Sequence, residues 1–292
     1  MASLQKSHRT HGGELRVYKH ASASTQTDMA FSIFLPPGFD AAAAGSVPLV
    51  LFLSGLTCTW ENFSTKAGAY AAASAHGLAV VAPDTSPRGA AVRSGEPGDW
   101  SLGLGASFYV DATAPGWQQH YQMATYIGEE LPALLAALLP ALAPQRASIM
   151  GHSMGGLGAL SLALRAPARY RAVSAFAPIA CPSAAPWGRK AYAALLGEDE
   201  AAWRAWDPTA LVAARGGGGG GAVPPPPPIW IEQGSADEWL DRELLPQRFT
   251  EAAATAGVPV SYTLREGYDH SYYFVSSFIA EHMARHAALL RA

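Results

Sequence analysis

Cysteine is nearly absent from this chain. Cys58 and Cys181 are the only two in 292 residues, too few for a disulfide framework and not in metal-ligand spacing. Two reduced thiols are expected, with no metal site and no cofactor. No apolar run of about 18 residues occurs either, so no helical membrane span and no membrane partner are expected. The nearest approach, Leu131 to Leu142, is interrupted by Pro132 and Pro140 and suits a buried helix. Met1 to Gly13 lacks the apolar core and small-residue cleavage site of a signal peptide and reads as a polar N-terminal tail. These gaps together set a cytoplasmic expectation. Excess charge of one sign is missing too: a formal net charge of −3 supplies no basic field, which argues against nucleic acid as a partner. A few local cations would still suffice to hold an anionic substrate.

What is present is a chain long enough for one large α/β domain with a substantial core. Glu14 to His20 and Asp28 to Leu35 pattern as antiparallel strands, and Val47 to Leu53 is a continuous apolar run expected to be covered on both faces. Helical stretches are expected over Phe63 to His76, Tyr121 to Leu142, Arg242 to Ala256 and Ser271 to Arg291. Strands are expected at Leu78 to Ala82, Arg146 to Met150, Tyr170 to Phe176, Ile229 to Glu232 and Val258 to Leu264. This alternation implies a mostly parallel central sheet with helices on both faces, in a single domain spanning residues 1–292. Pro83 to Trp117 reads as a long functional loop, and an irregular excursion carries Trp187, Trp203 and Trp206. The tract 216–228, six glycines and five prolines around Ala222 and Val223, reads as an exposed low-complexity loop. No Lys-Ser/Thr follows it, so it is not a phosphate loop.

Gly151-His152-Ser153-Met154-Gly155 is the most specific motif. It stands between a short apolar strand and a helix-compatible segment, the setting a G-x-S-x-G nucleophile elbow requires. Ser153 is the expected nucleophile. A serine hydroxyl needs a base, and the base needs an acid to hold its tautomer. Both partners are expected beyond the carboxyl ends of later strands. Asp237 lies after Ile229 to Glu232, and His270 after Val258 to Leu264, in the order Ser, Asp, His of the α/β-hydrolase fold. Glu238 and Asp269 compete as acids, Glu238 expected to face solvent and Asp269 lacking an obvious approach to Nδ1. His152 is expected to line the pocket or serve structure, and His8, His11, His20 and His76 to lie on the surface. The oxyanion hole is expected from the backbone N–H groups of Met154 and Leu56, the latter in the loop after Leu53. His11-Gly12-Gly13 imitates a lipase oxyanion loop but precedes the first expected strand.

Six collinear blocks resemble the S-formylglutathione hydrolase (esterase D) family. They are Leu53 to Thr59, Ala82 to Gly89, Phe108 to Thr113, Gly151 to Gly156, Ser174 to Ile179 and Glu266 to Phe274. The resemblance runs from about Val17 to the C-terminus. It implies a cofactor-free cytosolic serine thioesterase, often a homodimer, that splits S-formylglutathione to glutathione and formate in formaldehyde detoxification and also accepts small esters. Its serine, aspartate and histidine fall on Ser153, Asp237 and His270. Trp60, Ser107 and the Gly/Pro tract depart from the family pattern.

A formyl group calls for a narrow acyl pocket; Trp60, Tyr109 and Tyr268 are candidates either for its walls or for core packing, and Cys58, His152 and Trp187 are further pocket candidates. Alkylation of Cys58, in the oxyanion loop, is expected to block the site sterically. Arg88, Arg93, Arg189 and Lys190 are the cations expected nearest a pocket rim, although surface solvation suits each of them as well. A general carboxylesterase or an acyltransferase would use the same three residues. A non-catalytic binding protein would normally lack one of them.

Overall fold

The computed structural model describes residues 2–216 and 224–291, so residues 217–223 of the Gly/Pro tract lie outside the described residues. The strands are β1 (Ser3–Thr10), β2 (Gly13–Ala21), β3 (Asp28–Leu35), β4 (Val47–Leu53), β5 (Ala79–Pro83), β6 (Leu142–His152), β7 (Tyr170–Phe176), β8 (Ile229–Gly234) and β9 (Val260–Arg265). They form one sheet in the order β1-β2-β3-β5-β4-β6-β7-β8-β9. Pairing is antiparallel from β1 to β5 and parallel from β5 to β9. The apolar run of β4 is buried at every position but Pro48, as expected of a strand covered on both faces. After β4 the chain moves to β5 on one side, then returns to β6 on the other. That reversal opens a crevice beyond the carboxyl ends of β4 and β6, where open α/β sheets place their ligands.

The N-terminal segment is not a tail. Ser3–Thr10 forms an edge strand paired with Gly13–Ala21. His11 and Gly12 both take positive φ, 47° and 75°, the backbone of a two-residue hairpin turn. The strand is exposed almost throughout, so no apolar alternation announces it.

Three expected helices are interrupted. The stretch from Phe63 divides into Trp60–Lys66 and Tyr70–Ala75 around Gly68, whose φ of 67° ends a helical turn. The stretch from Tyr121 stops at Leu138, and Leu142 already opens β6. The stretch from Arg242 breaks at Leu245 (φ 51°), because the following Pro246 disfavours a right-handed helical residue before it.

Several histidines are interior. His20 is 5% exposed, against the surface position expected for it, because β2 carries Tyr18 and His20 on the same inward face. Its Nε2 lies 3.1 Å from Tyr126 Oη. His282 and His286, one turn apart on the C-terminal helix Tyr272–Arg291, are fully buried against the sheet. Ser174 Oγ bridges His282 Nδ1 at 2.7 Å and His286 Nε2 at 2.8 Å, while His282 Nε2 meets Glu232 Oε1 at 3.1 Å. Arg265 reaches the same Glu232 carboxylate at 2.7 Å. Burial raises the Glu232 pKa, but these partners outweigh it and hold the group below its ordinary value.

Burial holds His286 neutral, with a pKa well below 6.5. The unfolded chain binds this proton near pH 6.5 and the folded chain does not, so folding stability falls as pH drops below about 6.5. Each such imidazole contributes a slope of up to about 1.4 kcal/mol per pH unit. Thermal melts from about pH 8 to about pH 5.5 should show a falling Tm, with a shallower fall in His286→Gln.

Candidate active site

Ser153 sits between β6 and the helix Met154–Arg165, with φ 59° and ψ −120°. A non-glycine residue held there carries strain of about 1–3 kcal/mol. Surrounding hydrogen bonds fix it: Ser153 N–H donates to Phe176 O at 2.9 Å, and Ser153 O accepts from Leu157 N–H at 3.0 Å. The turn needs small neighbours. A Cβ on Gly155 would lie 1.9 Å from Leu53 O, so only glycine lets the helix start against the end of β4.

The loop after β4 faces the serine. Thr57 N–H donates to Gly105 O at 2.9 Å, Tyr109 Oη donates to Ser54 O at 2.9 Å, and Thr85 Oγ1 donates to Cys58 O at 2.5 Å. Ser107 Oγ in turn donates to Thr85 O at 2.6 Å, which gives the departure at position 107 a structural task. The 82–89 and 108–113 blocks therefore act as a scaffold for the Leu56 backbone. The N–H groups of Leu56 and Met154 have no hydrogen-bond partner among the described residues, as an oxyanion hole requires.

His270 and Asp237 meet across the ends of β8 and β9. Their loops approach closely because a Cβ on Gly234 would lie 2.2 Å from Tyr268 O. His270 Nδ1–H donates to Asp237 Oδ2 at 2.6 Å, which leaves Nε2 as the acceptor. Asp237 is buried and also accepts from Gln233 Nε2 at 3.1 Å and from Trp239 N–H at 2.9 Å. Glu238 is exposed, and the Asp269 carboxylate is taken by Ser271, whose N–H and Oγ bond it at 3.0 and 2.6 Å. Those bonds hold the Asp269 pKa below its ordinary value.

Ser153 and His270 line one cavity of about 430 Å³, together with Leu56, Cys58, His152, Trp187 and others. They share no hydrogen bond among the described residues. Burial holds the Cys58 thiol above its ordinary pKa, so it stays protonated near neutral pH. His152 is buried with both ring nitrogens unpartnered among the described residues, its ring 4.7 Å from that of His270. Burial first, and His270 second, hold it neutral.

Three expected wall residues lie elsewhere. Trp60 begins the helix Trp60–Lys66 outside the cavity lining, Tyr109 is fully buried beneath the Ser54 loop, and Tyr268 packs on Phe274 and Phe278. The aromatic wall is instead Trp100, Trp187 and Trp239, with Trp187 centred 5.0 Å from Trp100 and 4.6 Å from Trp239. Sequence reasoning missed Trp100, Trp239, Tyr272, Asn62 and Lys66. Trp239 and Tyr272 each stand two residues after Asp237 and His270, a proximity that could have flagged them.

The family model described as "Putative esterase" matches residues 22–285. The chain is 48% identical to the S-formylglutathione hydrolase of Mus musculus over 287 residues, covering 98% of each chain. The chain belongs to the S-formylglutathione hydrolase family. It is also 48% identical to the S-formylglutathione hydrolase of Paracoccus denitrificans (strain Pd 1222) over 282 residues, covering 97% of this chain and 96% of that one. The structure of an S-formylglutathione hydrolase from Agrobacterium tumefaciens superposes with a TM-score of 0.90 at 42% identity, covering 98% of this chain and 99% of that one. The central sheet with helices on both faces is accordingly the α/β-hydrolase fold expected from sequence. Among the described residues no helix is long and apolar enough to cross a membrane.

In this member of the S-formylglutathione hydrolase family the elbow tolerates no side chain at position 155. Gly155→Ala should cost more than about 3 kcal/mol of stability, above the usual range for an overpacked core, because the clash is with backbone. Urea unfolding measures it.

Proposed function

We propose that this chain hydrolyses S-formylglutathione to glutathione and formate through an acyl-enzyme on Ser153. The observation that carries the reading is the 2.6 Å bond from His270 Nδ1–H to the buried Asp237, with Ser153 lining the same cavity as His270. Membership of a family whose named relatives are S-formylglutathione hydrolases supports the substrate.

The cycle begins with Ser153 Oγ attacking the formyl carbonyl as its proton passes to His270 Nε2. Asp237 stabilises the imidazolium and keeps the tautomer. The N–H groups of Leu56 and Met154 hold the oxyanion, a contribution of about 3 kcal/mol for a donor of this kind. Collapse of the tetrahedral intermediate breaks the carbon–sulfur bond. His270 gives its proton to the departing sulfur and returns to the neutral base; because the leaving thiol has a pKa of about 8.5, this expulsion makes little demand on the acid. Water then enters, loses its proton to His270, and displaces formate from the serine. Thioesters and activated esters suit this site better than amides.

Steady-state assays test the assignment directly. S-Formylglutathione should exceed p-nitrophenyl acetate and butyrate in kcat/KM, whereas a preference for butyrate would indicate a general carboxylesterase. Ser153→Ala should abolish turnover of all three while leaving the fold intact. Asp237→Asn should lower kcat by roughly 10⁴ through the wrong imidazole tautomer. Glu238→Gln should leave kcat near the wild-type value.

A further inference from the structure

The cavity around Ser153 contains one formal cation, Lys66, and no carboxylate among the described residues that line it. The cations expected from sequence are engaged elsewhere. Arg88 grips Asp84 at 2.9 Å, Lys190 pairs with Asp99 at 2.6 Å, Arg189 pairs with Glu200 at 2.6 Å, and Arg93 lies over the Trp117 ring. Lys66 makes no ion pair and no hydrogen bond through its side chain among the described residues. Its charge is nevertheless felt at the Cys58 thiol, which also borders the cavity.

Asn62 stands one turn earlier on the same helix, Trp60–Lys66, so its side chain shares a face with Lys66. The capping box fixes the orientation of its amide. Asn62 Oδ1 accepts from Thr59 N–H at 3.0 Å, which leaves the Nδ2 hydrogens without a partner among the described residues. Asn62 and Lys66 both line the cavity. An ammonium and an amide NH₂ on adjacent turns, with no competing acid, form a site for a carboxylate. A lysine in the last turn also complements the helix dipole, but that contribution does not depend on which substrate is bound.

We infer that Lys66 Nζ and Asn62 Nδ2 bind a carboxylate of the glutathione moiety and so select S-formylglutathione over uncharged esters. This rests on the function proposed above. Glutathione carries two carboxylates, one on its glycine and one on its γ-glutamyl residue, and either offers the same chemistry to this pair. The role is one of substrate selection: the pair acts on the leaving-group side and takes no part in proton transfer. Its loss should therefore appear in KM rather than in kcat.

The test is the ratio of kcat/KM for S-formylglutathione to kcat/KM for p-nitrophenyl acetate. Lys66→Met should lower that ratio roughly tenfold, equivalent to about 1.4 kcal/mol. Lys66→Arg should restore it to within about threefold, since the charge returns. Asn62→Asp keeps the acceptor for Thr59 N–H but removes the donor, and should lower the ratio at least as much. S-Methylglutathione, which has no acyl group to hydrolyse, gives a second readout as an inhibitor of p-nitrophenyl acetate hydrolysis. Its inhibition constant should rise roughly tenfold in Lys66→Met. Ratios and inhibition constants within about twofold of wild type in Lys66→Met and Asn62→Asp would overturn the inference, as would wild-type enzyme that S-methylglutathione does not inhibit. Wild-type enzyme that binds S-methylglutathione through Lys66 yet fails to hydrolyse S-formylglutathione would overturn the proposed function instead.

Discussion

Everything reactive in this molecule is positioned by how closely the helix Met154–Arg165 begins against the end of β4. The absence of a side chain at Gly155 removes the separation that Leu53 O would otherwise impose. That contact brings the Met154 N–H beside the Leu56 loop and turns Ser153 out of the sheet. The strained backbone at Ser153 persists because bonds on both sides hold it: its N–H donates to Phe176 O, and its carbonyl accepts from Leu157 N–H. A second close approach, at Gly234, draws the loop of His270 onto that of Asp237. Two backbone contacts, each depending on a missing Cβ, thus set the relation among the three groups of the proposed cycle.

Much of this was legible in the sequence because strand ends are legible. A serine after β6, an acid after β8 and a histidine after β9 follow from apolar runs and their order, and the parallel sheet gathers those ends on one rim. Asp237, chosen over Glu238 from its place after β8, is buried against His270, and Glu238 is exposed. The pocket walls were less legible. Trp60, Tyr109 and Tyr268 neighbour the motifs in sequence, yet nearness along the chain does not decide which way a side chain points. Tyr109, with φ 51°, turns its ring into the core and its hydroxyl onto Ser54 O. Lys66 was passed over because it lies in an ordinary exposed helix, and its significance appears only when that helix is seen to flank the cavity.

The C-terminal helix shows the same limit from another direction. His282 and His286 stand among Glu281, Arg285 and Arg291, a composition that reads as a solvated face. In the structure they turn inward: Ser174 of β7 and Glu232 of β8 satisfy both nitrogens of His282, and Ser174 also meets His286 Nε2, while His286 Nδ1 has no partner among the described residues. A buried ionic group such as Glu232 contributes little net stability unless each lone pair finds a donor, and here Arg265 and His282 supply them. The network ties the last helix to β8, the strand that delivers Asp237, so the acid's placement depends on a helix some 35 to 55 residues further along the chain.

The N-terminal hairpin has a practical corollary. β1 lies five strand spacings from β6, roughly 24 Å across the sheet, and presents an unpaired edge to water. Lys6 and Arg9 on that edge discourage another chain from adding to it and seeding aggregation. An affinity handle or immobilising tether joined ahead of Ser3 would leave from the flank of the protein opposite β9, far from the route by which a small acyl donor enters.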